Sequence, residues 1–311
     1  MKKRIVSILL MLAMLAGMGI SAAAQSEARL PPKKELNAQW FKKRPATEFN
    51  RDIALMAASL TMDESAFRER YGAPGKPLEL ESFSAGTFIW GVEHPRFKVG
   101  AIELGDTTVV VVKLDGSGAV GSGQYVVSNF IGYYGYAVKS EPYCGYRVEA
   151  GYRSYADAVW ETLSGLKDTF EEKKNLKLLI TGHSMGGAGA NLLGVRFEEE
   201  GQIRGRKIGK ENIYVYTFES PNTYLDLRDP YAGAQFDNIH NLVNSTDIAV
   251  LFMPGQRFGK TYTFDLPNPE KDSHHPTYAE YKRAIGGIDP AGDTRRVWAA
   301  SLFNSGVQAL S

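Results

Sequence analysis

A serine between two glycines, flanked by two apolar runs, constrains the fold more than any other feature of this sequence. Gly182-His183-Ser184-Met185-Gly186 is a G-x-S-x-G motif. The apolar run 176–180 before it is short and branched, which predicts a buried strand. The small residues 187–190 and the two leucines after them predict a helix packed closely on that strand. A serine at such a strand-to-helix turn takes a strained backbone conformation that exposes its hydroxyl, so we expect Ser184 to be a nucleophile.

The two motif glycines have a steric role in this interpretation, because side chains two positions before and after Ser184 would collide across the turn. The helix that follows also directs backbone N–H groups and a positive dipole end toward a developing oxyanion. The competing interpretation is a glycine-rich helix start with an ordinary N-cap serine. The predicted strand before the motif and the predicted helix after it favour a sharp strand-to-helix turn at Ser184, which we call the elbow.

The first 24 residues have the pattern of a secretory signal. Lys2-Lys3-Arg4 is a charged start, 5–20 is apolar, and Ala22-Ala23-Ala24 offers a cleavage site that would leave Gln25 first. The alternative, an uncleaved membrane anchor, is disfavoured because the apolar stretch is short for a span. We therefore expect a secreted or periplasmic protein with no transmembrane segment after signal cleavage.

Composition excludes several classes of partner and cofactor. The chain has 311 residues and a net charge of +1, and it lacks the long basic run typical of nucleic-acid binding. Its only cysteine, Cys144, cannot form an intrachain disulfide. The five histidines and single cysteine show no ligand spacing, so no metal or organic cofactor is predicted.

Strands and helices alternate around the serine motif. After the signal, 25–47 is predicted as a linker or extension, and 48–311 as a single domain. Helices are expected at 53–60, 63–71 and from Gly151, and strands at 83–92, 97–104, 107–112, 176–180, 213–218, 239–243 and 258–264. This alternation predicts one α/β domain with a mainly parallel sheet. Gly121–Arg147, rich in tyrosine, is expected as a long surface excursion that covers a site, with a partly buried hairpin as the alternative.

A serine hydroxyl needs a base to accept its proton and an acid to orient that base. The histidines after Ser184 are His240, His274 and His275. His240 lies inside a predicted strand and is expected to be packed there. His274 and His275 lie in a polar loop, and Pro276 suits the first position of the following helix. We choose His275 as the base, and His274 stays the rival.

For the acid, Asp247 follows the end of a predicted strand and precedes the histidine pair, which is the chain order of α/β-hydrolase triads. Glu219, at the end of the preceding predicted strand, is the main competitor. We choose Asp247. The turn that ends the valine-rich strand, Asp115-Gly116-Ser117, lies where a second oxyanion donor is needed, although a plain tight loop fits it equally well.

Taken together, these residues resemble the class 3 lipase family of α/β-hydrolases, from about Phe49 to Tyr281. The segment 181–188 is similar to the family's nucleophile block, 241–247 to its acid block, and 215–221 to a strand ending in Phe-Gly-x-Pro, with Glu219 in place of the glycine. The resemblance implies an α/β-hydrolase fold, with a mainly parallel central sheet and helices on both faces. It also makes Glu219 a weaker candidate for the acid.

The resemblance further implies an oxyanion hole formed by Ser117 and the backbone N–H of Met185. Two features depart from the family pattern. Asp115 replaces an arginine, which brings a negative charge near an anionic intermediate. The family's tyrosine five residues after the histidine has no counterpart at that spacing, since Tyr281 is six after His275 and Tyr278 is four after His274.

The sequence therefore predicts a secreted serine hydrolase that cleaves carboxylic esters, with acyl lipids as the favoured substrates and a lipid–water interface as a partner. The resemblance to related lipases makes Gly121–Arg147 a candidate lid for interfacial activation. Two alternatives stay open. One is a soluble-ester esterase of the feruloyl type, and the other is a binding protein that has kept the fold and lost turnover.

Overall fold

The structure is a computed structural model, and it describes residues 38–71, 78–86, 88–89, 92–93, 95–116, 140–166, 175–225, 235–245, 255–264 and 278–288. Within these ranges, no helix combines the length and apolarity needed to cross a bilayer.

A seven-stranded sheet organises the described residues. The helices are α1 (Gln39–Lys42), α2 (Arg51–Met62), α3 (Glu64–Tyr71), α4 (Ala150–Gly165), α5 (Met185–Glu200) and α6 (Tyr278–Gly287). The strands are β1 (Glu81–Ser84), β2 (Phe88–Ile89), β3 (Val92–Glu93), β4 (Arg96–Leu104), β5 (Thr107–Leu114), β6 (Ser140–Tyr143), β7 (Tyr146–Glu149), β8 (Lys177–His183), β9 (Gln202–Ile203), β10 (Arg206–Lys207), β11 (Ile213–Phe218), β12 (Ile239–Asn244) and β13 (Lys260–Phe264). The sheet order is β1-β4-β5-β8-β11-β12-β13. Strand β4 pairs antiparallel with both β1 and β5. In the rest of the sheet, β5, β8, β11, β12 and β13 pair in parallel.

Apolar side chains on both faces of the sheet create two core layers. Every residue of β5 is buried, as expected for a β-branched run in a strand covered on both sides. Val110 and Val112 pack in one layer with residues of α4 and α5. Val109 and Val111 pack in the other with residues of α2, α3 and α6. The predicted α/β architecture, mainly parallel with helices on both faces, is confirmed.

Helix α5 approaches the sheet closely because its inner face is made of small residues. A Cβ built on Gly189 would lie 2.8 Å from Cδ2 of Leu114, and one built on Gly194 would lie 2.8 Å from Cγ2 of Val215. Glycine inside a helix costs about 1 kcal/mol relative to alanine. At these two positions it lowers the stability of the helix but allows α5 to pack closely on the sheet.

Part of the predicted linker or extension, 25–47, packs on the sheet. Within the predicted linker 25–47, Phe41 and Ala46 are buried. The hydroxyl of Tyr214 on β11 donates to the carbonyl oxygens of Phe41 and Arg44 at 3.0 and 2.9 Å. Residues 38–47 therefore pack on the sheet, and the partners that hold them are too distant in sequence for local patterns to reveal.

Two other predicted elements differ in the structure. The strand expected at 83–92 is divided, since β1 pairs with β4 and the positive φ of Gly86, 62°, interrupts the extended run. The end of the predicted surface excursion is a packed hairpin, β6–β7, in which Tyr143 is buried and its hydroxyl donates to the Leu192 carbonyl at 3.1 Å. The rest of the candidate lid, through residue 139, lies outside the described residues.

Candidate active site

Ser184 occupies a strained turn between β8 and α5. Its φ of 54° and ψ of −126° lie outside the conformations that residues with a Cβ ordinarily adopt. Its N–H donates to the Phe218 carbonyl at 2.9 Å, which continues the pairing of β8 with β11, and its carbonyl accepts from Ala188 N–H at 3.1 Å, which begins the helix. The backbone is thus fixed from both sides, and the predicted strand–helix elbow is confirmed.

The glycines of the motif are required by backbone contacts. A Cβ on Gly182 would lie 2.2 Å from the Gly186 carbonyl oxygen. A Cβ on Gly186 would lie 2.3 Å from the carbonyl oxygen of Leu114 at the end of β5. Both contacts are with backbone atoms that cannot rotate away. The elbow is therefore packed against its own backbone and against β5, the neighbouring strand of the sheet.

The turn after β5 lies beside Ser184. A Cβ on Gly116 would be 2.7 Å from the His183 carbonyl oxygen and 3.6 Å from Cβ of Ser184. Ser117, the predicted oxyanion donor, is the next residue and lies outside the described residues. Met185 is the first residue of α5, where backbone N–H groups have no partner within the helix and the dipole favours negative charge.

The hydroxyl of Tyr155 anchors the same turn, a role that sequence reasoning missed. It donates to the carbonyl oxygens of Arg96 and Asp115 at 2.6 and 3.2 Å, and Asp115 N–H donates to the Arg96 carbonyl at 2.9 Å. Tyr155 is fully buried on α4, and burial raises the pKa of its hydroxyl well above the usual value. The hydroxyl therefore stays protonated as a donor. The sequence signal was only a polar group on the apolar face of a helix.

Asp115, the acidic departure from the family pattern, is neutralised. Its Oδ1 lies 2.9 Å from Nζ of Lys113, and Lys113 also lies 3.1 Å from Oε2 of Glu64 on α3. Burial opposes the ionisation of Glu64, but hydrogen bonds from Lys98 and Lys113 outweigh it and lower the pKa of Glu64 to about 2. The charge of Asp115 thus belongs to a network of ion pairs.

The carboxyl ends of the parallel strands meet at one edge of the sheet, where ligands of open α/β sheets bind. Ser184 follows β8, Glu219 follows β11, and β12 ends at Asn244, three residues before Asp247. Asp247 lies outside the described residues. Glu219 is fully buried, and its carboxylate accepts from Asn244 N–H at 2.9 and 3.0 Å and from the Tyr281 hydroxyl.

Both candidate bases, His274 and His275, also lie outside the described residues, just before α6. His240 is packed inside β12, as predicted. Its Nδ1 lies 3.1 Å from the Tyr262 hydroxyl and its Nε2 lies 2.9 Å from the Ala46 carbonyl oxygen. Burial lowers the pKa of His240 to about 4, so the ring is neutral at ordinary pH and is occupied by structural contacts.

A buried polar network behind the elbow ties α5 to its neighbouring strands. Asn191 Nδ2 donates to Asn241 Oδ1 at 3.0 Å and to the Phe258 carbonyl at 2.9 Å. Thr223 donates to Asn191 Oδ1 at 2.8 Å, and Thr217 donates to Asn241 Oδ1 at 2.7 Å. Sequence reasoning missed this network, although Asn191 stands as a polar residue directly before two buried leucines. In the part of the chain that the structure describes, no group of acidic, histidine or cysteine side chains is arranged to hold a metal ion.

Solved structures of fungal lipases are similar to this chain at low identity. A triacylglyceride lipase of Rhizomucor miehei is 18% identical, with 70% of this chain and 79% of that chain covered and a TM-score of 0.47. A propeptide complex of a Rhizomucor miehei lipase is 17% identical, with 91% and 94% covered and a TM-score of 0.47. A lipase of Rhizopus microsporus var. chinensis is 15% identical, with 91% and 96% covered and a TM-score of 0.47. No curated protein sequence matches the chain.

A family model does match, over residues 118–257. Its description is lipase (class 3). The matched segment contains the elbow at Ser184, Glu219 and the candidate acid Asp247, and it ends before His274 and His275. The elbow and the order of the parallel strands agree with the α/β-hydrolase fold of such a protein. Residues 118–257 of the chain are therefore similar to the class 3 lipase family.

Proposed function

We propose that this protein is a serine hydrolase that cleaves carboxylic esters of acyl lipids through an acyl-enzyme. The single observation that carries the proposal is the conformation of Ser184, held at a φ of 54° between a buried strand and the N-terminus of α5. A protein keeps such strain where the surrounding contacts determine it, and the strain here raises a hydroxyl at the edge of the sheet where parallel strands end. The match of residues 118–257 to the class 3 lipase model supports the ester as the bond cleaved.

In the proposed reaction, Ser184 Oγ attacks the ester carbonyl carbon while His275 accepts the hydroxyl proton and Asp247 orients the imidazole. The carbonyl oxygen becomes an oxyanion and receives hydrogen bonds from Met185 N–H and from Ser117. Collapse of this intermediate expels the alcohol, which takes the proton back from His275. Water then attacks the acyl-enzyme by the same route and releases the carboxylic acid and free Ser184.

The histidine and the acid are assigned by their place in the chain. His275 and its rival His274 precede α6, whose first described residue is Tyr278. Asp247 follows β12, the strand that lies two positions from the nucleophile strand in the sheet. Secretion belongs to the same proposal, since residues 1–24 have the pattern of a cleavable signal.

The test compares wild type with Ser184→Ala on p-nitrophenyl esters of increasing acyl length. We expect wild type to hydrolyse them and Ser184→Ala to lose at least about a thousandfold in kcat. Ser59→Ala is the matched control, because Ser59 is a buried serine on α2 whose hydroxyl, among the described residues, bonds to the Met56 carbonyl of the same helix. A fluorophosphonate probe should label wild type and Ser59→Ala, and leave Ser184→Ala unlabelled.

Two outcomes contradict the proposal. If Ser184→Ala keeps its activity, Ser184 is not the nucleophile. If wild type is inert and unlabelled, the binding-protein alternative is favoured. The chain-length profile separates an acyl-lipid hydrolase, which prefers long chains, from a soluble-ester esterase. Comparing the same ester below and above its aggregation concentration tests the lipid–water interface as a partner.

A further inference from the structure

Glu219 combines a buried carboxylate with a backbone conformation that favours glycine. It follows β11, its φ is 45°, and its side chain is fully buried. A non-glycine residue in this region of φ is strained, and a buried carboxylate is costly unless donors surround it. Glycine would remove both the backbone strain and the cost of burying a charge. We therefore expect the Glu219 carboxylate to have a function of its own.

The carboxylate extends the pairing of β11 with β12 by one hydrogen bond. Glu219 N–H donates to the Leu242 carbonyl at 3.0 Å, as the next step of the parallel ladder. In such a ladder, the following donor is the N–H of Asn244, and its regular acceptor is the main-chain carbonyl at the Glu219 position. Here Asn244 N–H donates to both carboxylate oxygens, at 2.9 and 3.0 Å. The side chain therefore holds the end of β12 while the main chain turns away.

The same carboxylate binds α6. The hydroxyl of Tyr281 donates to Oε1 of Glu219, and Tyr281 is fully buried. The Tyr281 ring packs edge-on against Phe218 of β11 and Phe264 of β13, with ring centroids 5.3 Å apart in both cases. One carboxylate thus joins the end of β12 to the helix that follows β13 in the chain.

We infer that Glu219 is a positioning residue, which couples the segment leading to Asp247 with the segment following His275. This inference rests on the proposed function, in which those two residues are the acid and the base. Asn244 lies three residues before Asp247, and Tyr281 lies six residues after His275. The first segment follows β12 and the second leads into α6, and Glu219 binds both elements. The distance between the acid and the imidazole therefore depends on its carboxylate.

Two contacts of the Glu219 carboxylate indicate a positioning role. Its two oxygens accept hydrogen bonds from Asn244 N–H and the Tyr281 hydroxyl, which are donors with structural places in β12 and α6. A small displacement of catalytic groups lowers turnover more than substrate binding. Loss of the carboxylate should therefore lower kcat and leave KM nearly unchanged.

The experiment compares Glu219→Gln, Tyr281→Phe and their combination with wild type. Tyr214→Phe is the matched control, because Tyr214 is also fully buried, on β11. Within the described ranges its hydroxyl bonds to the carbonyl oxygens of residues 41 and 44, away from the strand ends. We expect Glu219→Gln to lower kcat on p-nitrophenyl butyrate about tenfold, with KM within about twofold, and Tyr281→Phe to lower it about threefold. The combination should be no slower than Glu219→Gln alone, and Tyr214→Phe should keep the wild-type kcat even though it is destabilised.

A Glu219→Gln protein with the kcat of Tyr214→Phe overturns the inference. So does a Glu219→Gln protein as inactive as Ser184→Ala beside an active Asp247→Asn, because Glu219 would then be the acid itself. If Glu219→Gln does not fold, Tyr281→Phe and Tyr214→Phe carry the comparison alone.

Hydrogen exchange separates this inference from the proposed function. Amides of β12 and α6 should exchange faster in Glu219→Gln than in Tyr214→Phe, measured relative to the global unfolding rate of each variant. Should wild type be inert toward every ester, the proposed function fails, and this difference still supports the coupling of the two segments. Equal exchange in the two variants overturns the coupling whatever the activity.

Discussion

Nζ of Lys113 lies 2.9 Å from Oδ1 of Asp115, and this ion pair stands where β5 turns toward the nucleophile. Both side chains are largely buried, with 11% and 12% of their surface exposed, so solvent screens the pair only weakly. In the proposed reaction, an uncompensated Asp115 carboxylate would oppose the negative charge that develops on the substrate during attack by Ser184. The pair therefore makes an acidic residue tolerable in a turn where the family resemblance places an arginine.

Lys113→Met should lower kcat about tenfold by leaving the Asp115 charge unpaired near the oxyanion, a loss of about 1.4 kcal/mol in transition-state stabilisation. Adding Asp115→Asn to Lys113→Met should restore most of the rate, because the opposing charge is removed. Lys98→Met is the control, since Lys98 binds Glu64 and makes no ion pair with Asp115. Steady-state kinetics of the four proteins provides the measurement. Equal rates in Lys113→Met and Lys98→Met would show that the Asp115 charge does not reach the reaction.

Gly186→Ala should destabilise the protein by about 3 kcal/mol, because its methyl would lie 2.3 Å from the Leu114 carbonyl oxygen. Gly286→Ala is the paired control within α6, where nothing lies within 4 Å of the added methyl. There the higher helix propensity of alanine should raise the free energy of unfolding by about 0.5–1 kcal/mol. Urea denaturation measures both changes, and similar values for the two variants would argue against the steric account of the elbow.

Ser184→Gly should be inactive and yet more stable than Ser184→Ala, by about 1 kcal/mol. Alanine keeps the Cβ and therefore the strain at a φ of 54°, whereas glycine adopts this conformation freely. The comparison isolates the strain, since neither variant carries the hydroxyl. Thermal and denaturant unfolding of the two inactive proteins provides the measurement. A more stable Ser184→Ala would mean that the elbow backbone is relaxed.

Stability should decrease in mild acid because of His240. Burial lowers the pKa of this histidine from 6.5 to about 4 in the folded protein. Above pH 6.5, both the folded and unfolded states hold the neutral ring, and the contribution is fully present. Between pH 6.5 and 4, the unfolded state binds a proton that the folded state does not, so stability falls by up to about 1.4 kcal/mol per pH unit.

The measurement for His240 is the free energy of unfolding between pH 8 and pH 4, for wild type and for His240→Gln. Glutamine keeps hydrogen-bonding groups and does not titrate, so the difference between the two proteins should shrink as the pH falls toward 4. A constant difference over this range would contradict the lowered pKa.

The nucleophile elbow could be predicted from the sequence because its determinants are local. The strand, the motif and the small-residue helix occupy 176–193, and the structure confirms all three. The Tyr155 hydroxyl and the Glu219 carboxylate could not be predicted in the same way. Their partners lie on other elements, and only the assembled sheet brings Asn244 and Tyr281 to one carboxylate. The local pattern even counted against Glu219, since it marked the residue only as a departure from glycine.

The packing of the N-terminal segment also depends on distant contacts, which local sequence patterns do not reveal. The predicted linker or extension included the segment 38–47, in which Phe41 and Ala46 are buried. Their partners lie far along the chain, since the Tyr214 hydroxyl on β11 binds the Phe41 carbonyl oxygen and His240 on β12 contacts the Ala46 carbonyl oxygen. The assignments of Asp247, His275 and Ser117 stay predictions, since they rest on chain order and on the family resemblance.

The attachment of the N-terminal segment to the sheet has a consequence for the order of folding. Asn50 N–H bonds to the Tyr216 hydroxyl at 2.9 Å, across 166 residues, and the Ala46 carbonyl oxygen contacts His240 across 194. The ribosome therefore makes these early residues long before their anchors exist, and contacts of such sequence separation form slowly. During synthesis, the first described residues of the chain must wait for β11 and β12. The earliest part of the domain to be made is thus among the last to reach its native place.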